Sequence, residues 1–120
     1  MAVRALRGAV QIDDNEPGAI IEGTMELVTE VMERNALTTD DVISVIFTAT
    51  PDLASEFPAV AARKLGFHDV PLLCATEIAV PKALPRVVRL MAHIETERPR
   101  SAIHHVYLRG AQALRLDIAQ

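Results

Sequence analysis

The run Val42–Ala49, VISVIFTA, constrains this chain more than any other segment. It is nearly all apolar, rich in β-branched residues, and bounded by polar turns, which reads as a strand. A strand apolar on both faces belongs in the centre of a sheet and needs cover on both sides.

The rest of the 120-residue chain has to supply that cover, and the length suits one domain, residues 1–120. Half of the residues are hydrophobic, enough for a core without disulfides or metal. Residues 2–12 read as a strand, with Ala2, Arg4, Leu6, Gly8, Val10 and Ile12 on one face and Val3, Ala5, Arg7, Ala9 and Gln11 on the other. Pro17 suits a helix start, and residues 17–35 carry the stripe Ile20, Thr24, Leu27, Val28, Val31. Glu22, Glu26, Glu30 and Glu33 line the opposite, solvated side, and Asn35 ends the helix. Phe57–Leu65 reads as a short helix stopped by Gly66. Further strands are expected at Val70–Cys74, Arg86–Ile94 and His105–Arg109, followed by a helical turn over Gly110–Leu116. On the fourth strand, Val88, Leu90, Ala92 and Ile94 share one face; Val87, Arg89, Met91 and His93 share the other. The order β–α–β–α–β–β–β predicts an α+β fold, a mixed five-stranded sheet with helices on one face. Two helices cannot cover both faces, so the chain is expected to form a homo-oligomer.

Twelve Lys and Arg against sixteen Asp and Glu give a net charge of −4, and three Phe with one Tyr are the only aromatics. That argues against nucleic-acid and anionic-membrane partners. The N-terminus has no uninterrupted apolar run, and no stretch approaches a membrane span. A single cysteine points to a reducing compartment, hence the cytoplasm. No phosphate-binding glycine loop, CxxC pair or GxSxG elbow is found. His104 and His105 are adjacent on a strand and point to opposite faces, which does not suit a shared metal. No metal or cofactor is expected. Cys74 has no identifiable base beside it and reads by itself as a small apolar residue, and Asp52 reads as a cap of the turn after Pro51.

The informative residues are arginines on apolar faces. Arg7 alternates with Ala5 and Ala9, and Arg89 with Val87 and Met91. A buried guanidinium is costly unless paired. Each could be a structural ion pair with Glu77 or Asp52, or the two together could form a pocket for a small dicarboxylate.

The segments Arg4-Ala5-Leu6-Arg7-Gly8-Ala9, Thr48-Ala49-Thr50-Pro51-Asp52-Leu53, Val70-Pro71-Leu72-Leu73-Cys74-Ala75-Thr76-Glu77, Arg86-Val87-Val88-Arg89, and His105-Val106-Tyr107-Leu108 with Leu114-Arg115 occur in an order and spacing that span the chain. In these the sequence resembles the monofunctional chorismate mutases of the trimeric α/β type. The resemblance implies a trimeric pseudo-α/β-barrel with three active sites at subunit interfaces, and the Claisen rearrangement of chorismate to prephenate on the route to Phe and Tyr. It implies that Arg89 donates to the ether oxygen, that Arg7 and Tyr107 bind carboxylate, and that Glu77 accepts from the ring hydroxyl with Cys74 nearby. Phe57 and Leu114 would form an apolar wall, with Ala59 beside Phe57, and Arg63 and Arg115 would sit at the mouth. The chain departs from the pattern at Val60, where the family can carry a lysine, at Leu73, where a Thr can make a polar contact, and at Pro81 and Pro85. Cys74 and Glu77 are three apart, so a regular strand would place them on opposite faces, and the assignment calls for a bulge or strand end between them. The alternatives are a small dicarboxylate-binding sensor on this scaffold and a reactive-imine deaminase of a related trimeric fold.

Overall fold

In the computed structural model, which describes residues 1–114, five strands form one sheet in the order β3-β2-β4-β1-β5. The strands are β1 (Ala2–Gln11), β2 (Val42–Ala49), β3 (Leu72–Thr76), β4 (Val87–Thr96) and β5 (Val106–Leu108). β4 runs antiparallel to both β1 and β2, whereas β3 pairs with β2, and β5 with β1, in parallel. The sheet is therefore mixed, as the sequence leads one to expect.

The helices α1 (Pro17–Arg34) and α2 (Ala59–Lys64) both cover one face. Ile20, Leu27, Val28 and Val31 of α1 and Ala59 and Ala62 of α2 meet Leu6 and Val10 of β1, Val45 and Phe47 of β2, and Val88, Leu90, Ala92 and Ile94 of β4. This follows directly from the period-3.6 stripe meeting the even-numbered faces of β1 and β4. Gly8 permits the close approach on this side. A Cβ there would stand 3.1 Å from Leu27 Cδ1 and 3.3 Å from the Val106 carbonyl oxygen. Gly66, at φ +96°, terminates the α2 segment as anticipated.

Asn35 is buried and does more than end α1. Its side-chain nitrogen donates to the carbonyls of Val31 and His104, both at 2.9 Å, and its oxygen accepts the His104 N–H at 2.8 Å. One amide thus ties the end of α1 to the approach of β5.

Four expectations are revised. The middle strand of the sheet is β4, not Val42–Ala49, which lies second, between β3 and β4. That strand is buried on only one face within the chain: Val45 and Phe47 lie under the helices, while Ile46 stays 37% exposed. The reason is that both helices lie on one side of the sheet. The third strand starts at Leu72 rather than Val70, because Pro71 lacks an N–H and only its carbonyl joins β2, accepting the Val45 N–H at 3.0 Å. The final strand is three residues long, since Arg109 turns at φ +55° into a 3₁₀ turn, Arg109–Gln112.

Candidate active site

The face without helices carries the site. Strand pairing sets Tyr107, Ala9, Arg89, Thr48 and Ala75 in one row across all five strands. The neighbouring row is Arg7, Met91, Ile46 and Leu73. Because residues paired across a sheet point the same way, both arginines project from this one surface. Arg7, Ile46, Thr48, Arg89, Met91 and Tyr107 line a concavity of about 340 Å³ there. Met91, at 38% exposed, and Ile46 give it an apolar floor between cationic side chains.

Glu77 reaches this face from just beyond the end of β3. Its main-chain N–H donates to the Ala49 carbonyl at 2.9 Å, which extends the strand's alternation by one residue. Glu77 Oε2 accepts from Thr48 Oγ1 at 2.6 Å and forms an ion pair with Arg89, whose Nε stands 3.1 Å away. The pairing of Arg89 with Glu77 is thus present, yet it occupies only the Nε edge of a guanidinium with five N–H donors. The carboxylate is the more enclosed partner, with its side chain 15% exposed against 47% for Arg89.

Tyr107 is buried in a small cluster with Ala9, Val87 and Ala111, against which Leu114 and Leu84 pack. Leu114, expected in the apolar wall, thus packs against the cluster that holds Tyr107. Arg7 is held at its main chain: its N–H donates to His105 Nδ1 at 3.0 Å. Burial first, and then the charges of Arg7 and His104, hold the His105 imidazole below its ordinary pKa. That favours the neutral ring, which alone can accept this hydrogen bond.

The expected residues do not all converge within one chain. Phe57, 68% exposed, lines a second concavity of about 250 Å³ with Leu53, Pro58, Cys74 and Thr76. Ala59 is buried and Arg63 exposed on α2, on the helix-covered side. Leu73 lies on the open face, 61% exposed and in register with Ile46. Cys74 and Glu77 follow simple alternation without a bulge: Cys74 pairs with Phe47 and packs against the helix-side core, while Glu77 stands on the opposite face. The thiol is not beside Glu77. Arg115 lies outside the described residues.

Asp52 acts as more than a cap. It accepts the Arg86 N–H at 3.0 and 3.2 Å and the Thr50 hydroxyl at 2.5 Å, tying the turn after β2 to the entry of β4. Arg86 sits there at φ +53°. Thr48 was missed as a site residue. Its position was readable from the strand: it shares a face with Ile46, but only the register of β2 against β4 sets it opposite Arg89.

Residues 3–118 match the family described as chorismate mutase type I. A chorismate mutase AroH of Thermus thermophilus is 46% identical over 117 residues, covering 97% of this chain and 96% of that protein. The AroH chorismate mutase of Bacillus subtilis (strain 168) is 35% identical over 120 residues, covering 99% and 94%. The solved structure of a chorismate mutase from Clostridium thermocellum superposes with a TM-score of 0.91 at 44% identity, covering 92% of this chain and 98% of that one. An α+β chain with an arginine-lined open sheet face is here a small-molecule isomerase. The chain belongs to the chorismate mutase type I family.

Proposed function

We propose that the chain rearranges chorismate to prephenate on its open sheet face, in a pocket completed by a neighbouring copy within a homotrimer. The observation that carries this reading is the gathering of Arg7, Arg89 and Tyr107 on one exposed face, with Glu77 bound to Arg89. The rearrangement is unimolecular and pericyclic. It calls for a compact substrate conformer and for donors at the ether oxygen, where negative charge develops as the C–O bond breaks. Arg89 is the donor to that oxygen, using the N–H groups that Glu77 does not hold. Arg7 and Tyr107 bind carboxylate, and the second oxygen of Glu77 accepts from the ring hydroxyl.

Assembly supplies the rest of the pocket in this reading. Val3, Ile46, Leu73 and Met91 leave an apolar sheet surface exposed on the single chain, which supports packing against further copies. Phe57, Ala59 and Arg63 stand apart from the Arg7–Arg89 concavity in their own chain, as residues that serve a neighbour's site would. Leu114 contributes to the wall, and Cys74 contributes through its main chain rather than its thiol. Because the protein is net negative, the arginines must invert the potential locally to draw in a dianion. The single cysteine supports a cytoplasmic setting; among the described residues no helix is long and apolar enough to cross a membrane.

The test is chorismate consumption followed by ultraviolet absorbance, without added metal or cofactor, for the wild type and Arg89→Ala. Saturable turnover that collapses in a folded variant is expected. Absence of turnover in the folded wild-type protein would overturn the reading.

A further inference from the structure

We propose that Thr48 is a positioning residue for the rearrangement. By donating its hydroxyl hydrogen to Glu77 Oε2, it aims the other carboxylate oxygen at the substrate and keeps the terminal nitrogens of Arg89 out of a second bond to Glu77. This rests on the function proposed above and deepens it.

The geometry makes the role specific. Thr48 lies between the two partners it would organise, since its Cα pairs with Arg89 on β4 and with Ala75 on β3. Glu77 is two residues past Ala75 on the same face, so its carboxylate falls back over Thr48. The Thr48–Glu77 bond, at 2.6 Å, has the short length of a hydrogen bond to a charged acceptor. Oε2 therefore takes one hydrogen bond, from the Thr48 hydroxyl, beside an ion-pair contact with Arg89 Nε at 3.1 Å. The hydroxyl on β2 and the guanidinium on β4 together restrict the carboxylate, where the ion pair alone would leave it freer to turn.

A carboxylate held only by an arginine favours the two-bond, fork-on-fork arrangement. Without the Thr48 hydroxyl, Glu77 would turn to face the guanidinium and engage one of its terminal N–H groups. Two things would be lost together: the acceptor for the ring hydroxyl, and part of the donor set aimed at the ether oxygen. Thr48 itself does not serve the substrate as a donor, because its single hydroxyl hydrogen is committed to Glu77. Its β-branch also stiffens χ1 on the strand, so the hydroxyl is delivered with little rotamer freedom to lose.

The experiment compares Thr48→Val, which exchanges the hydroxyl for a methyl of similar size, with Thr48→Ser, which retains it. We expect Thr48→Val to lower kcat by about ten- to a hundredfold, the scale of a small misplacement of reacting groups. KM should change by much less, because Arg7 and Tyr107 still hold the carboxylates. Thr48→Ser should recover most of the loss. In a Glu77→Ala background, Thr48→Val should cost little more, since the two residues act as one unit. Wild-type kcat in Thr48→Val overturns the proposal, as does an equal loss in Thr48→Ser, which would assign the effect to packing. A full additional loss in the Glu77→Ala background also overturns it. Should Thr48→Val not fold, Thr48→Ala against Thr48→Ser makes the same comparison. A folded wild type without turnover refutes the function itself, whereas turnover unaltered by Thr48→Val refutes only the role of Thr48.

Discussion

Arg89→Lys separates charge from geometry at this site. The guanidinium has five N–H donors, and its Nε stands 3.1 Å from Glu77, so the proposed mechanism uses the terminal nitrogens for substrate. A lysine carries the same charge on a single nitrogen at the end of a flexible stem. Held by Glu77, that nitrogen is drawn away from the ether oxygen; released from it, Glu77 loses its partner. The variant therefore gives up a donor placed for the transition state. Removing one such donor costs about 3–4 kcal/mol, a fall in kcat of roughly two to three orders of magnitude. Stability should barely respond. The ion pair is half exposed on the arginine side, and pairs of that kind contribute about 0.2–1 kcal/mol, of which a lysine retains part. Steady-state rates from chorismate absorbance, beside a urea melt of the same preparation, test both halves. A Lys variant within tenfold of wild-type kcat would refute the fork argument and leave charge alone as the requirement. A large loss of stability would instead show that Arg89 is principally structural.

Other consequences can be measured on the same footing. Asn35→Ala removes three hydrogen bonds from a buried position and strands the His104 N–H; it should lower unfolding free energy by about 2–4 kcal/mol in urea titration. A loss below about 0.5 kcal/mol would mean that the α1–β5 tie is dispensable. His105 has its pKa depressed in the folded state, so the unfolded chain takes up the proton first as pH falls. The stability it contributes is complete above its ordinary pKa of about 6.5 and is lost as pH drops from there through the lower folded value. His105→Gln should flatten the fall in urea midpoint between pH 7.5 and 5.5, and an unchanged slope would refute the assignment. Ile46→Asp places a charge in the middle of the open sheet face and should reduce the sedimenting species to a single chain. Wild-type sedimentation of that variant would show that copies do not pack through this face.

Much of the fold is legible because each element carries its own period. The α1 stripe and the even faces of β1 and β4 name the same core that the structure buries. The order of the strands is not local information. β4 becomes the middle strand because it pairs with both β1 and β2, and no single segment states that choice. The apolar run of β2 reads as buried on two sides, but the single chain covers only one of them. Its inner residues Val45 and Phe47 lie under helices, and its outer residue Ile46 stays open. In the proposed assembly a further copy would cover that outer face, which is the environment the two-sided pattern anticipates.

The same distinction explains what could be read of the site. Arg7 and Arg89 are conspicuous in sequence because a cation among alternating apolar residues on a strand calls for an ion-pair partner or an anionic ligand. Thr48 is not conspicuous, since a β-branched threonine is an ordinary choice in a strand. What gives it meaning is register: one residue of slippage between β2 and β4 would turn its hydroxyl to the helix side and leave Glu77 held by Arg89 alone. Register in turn is fixed at one end of both strands by Asp52, which accepts from Thr50 just past β2 and from Arg86 just before β4. Arg89 stands three residues beyond Arg86, and Thr48 two before Thr50. A turn that contributes no group to the substrate therefore sets which hydroxyl faces which carboxylate. For a reaction that needs no nucleophile, such placement is where a chain of this kind must put its chemistry.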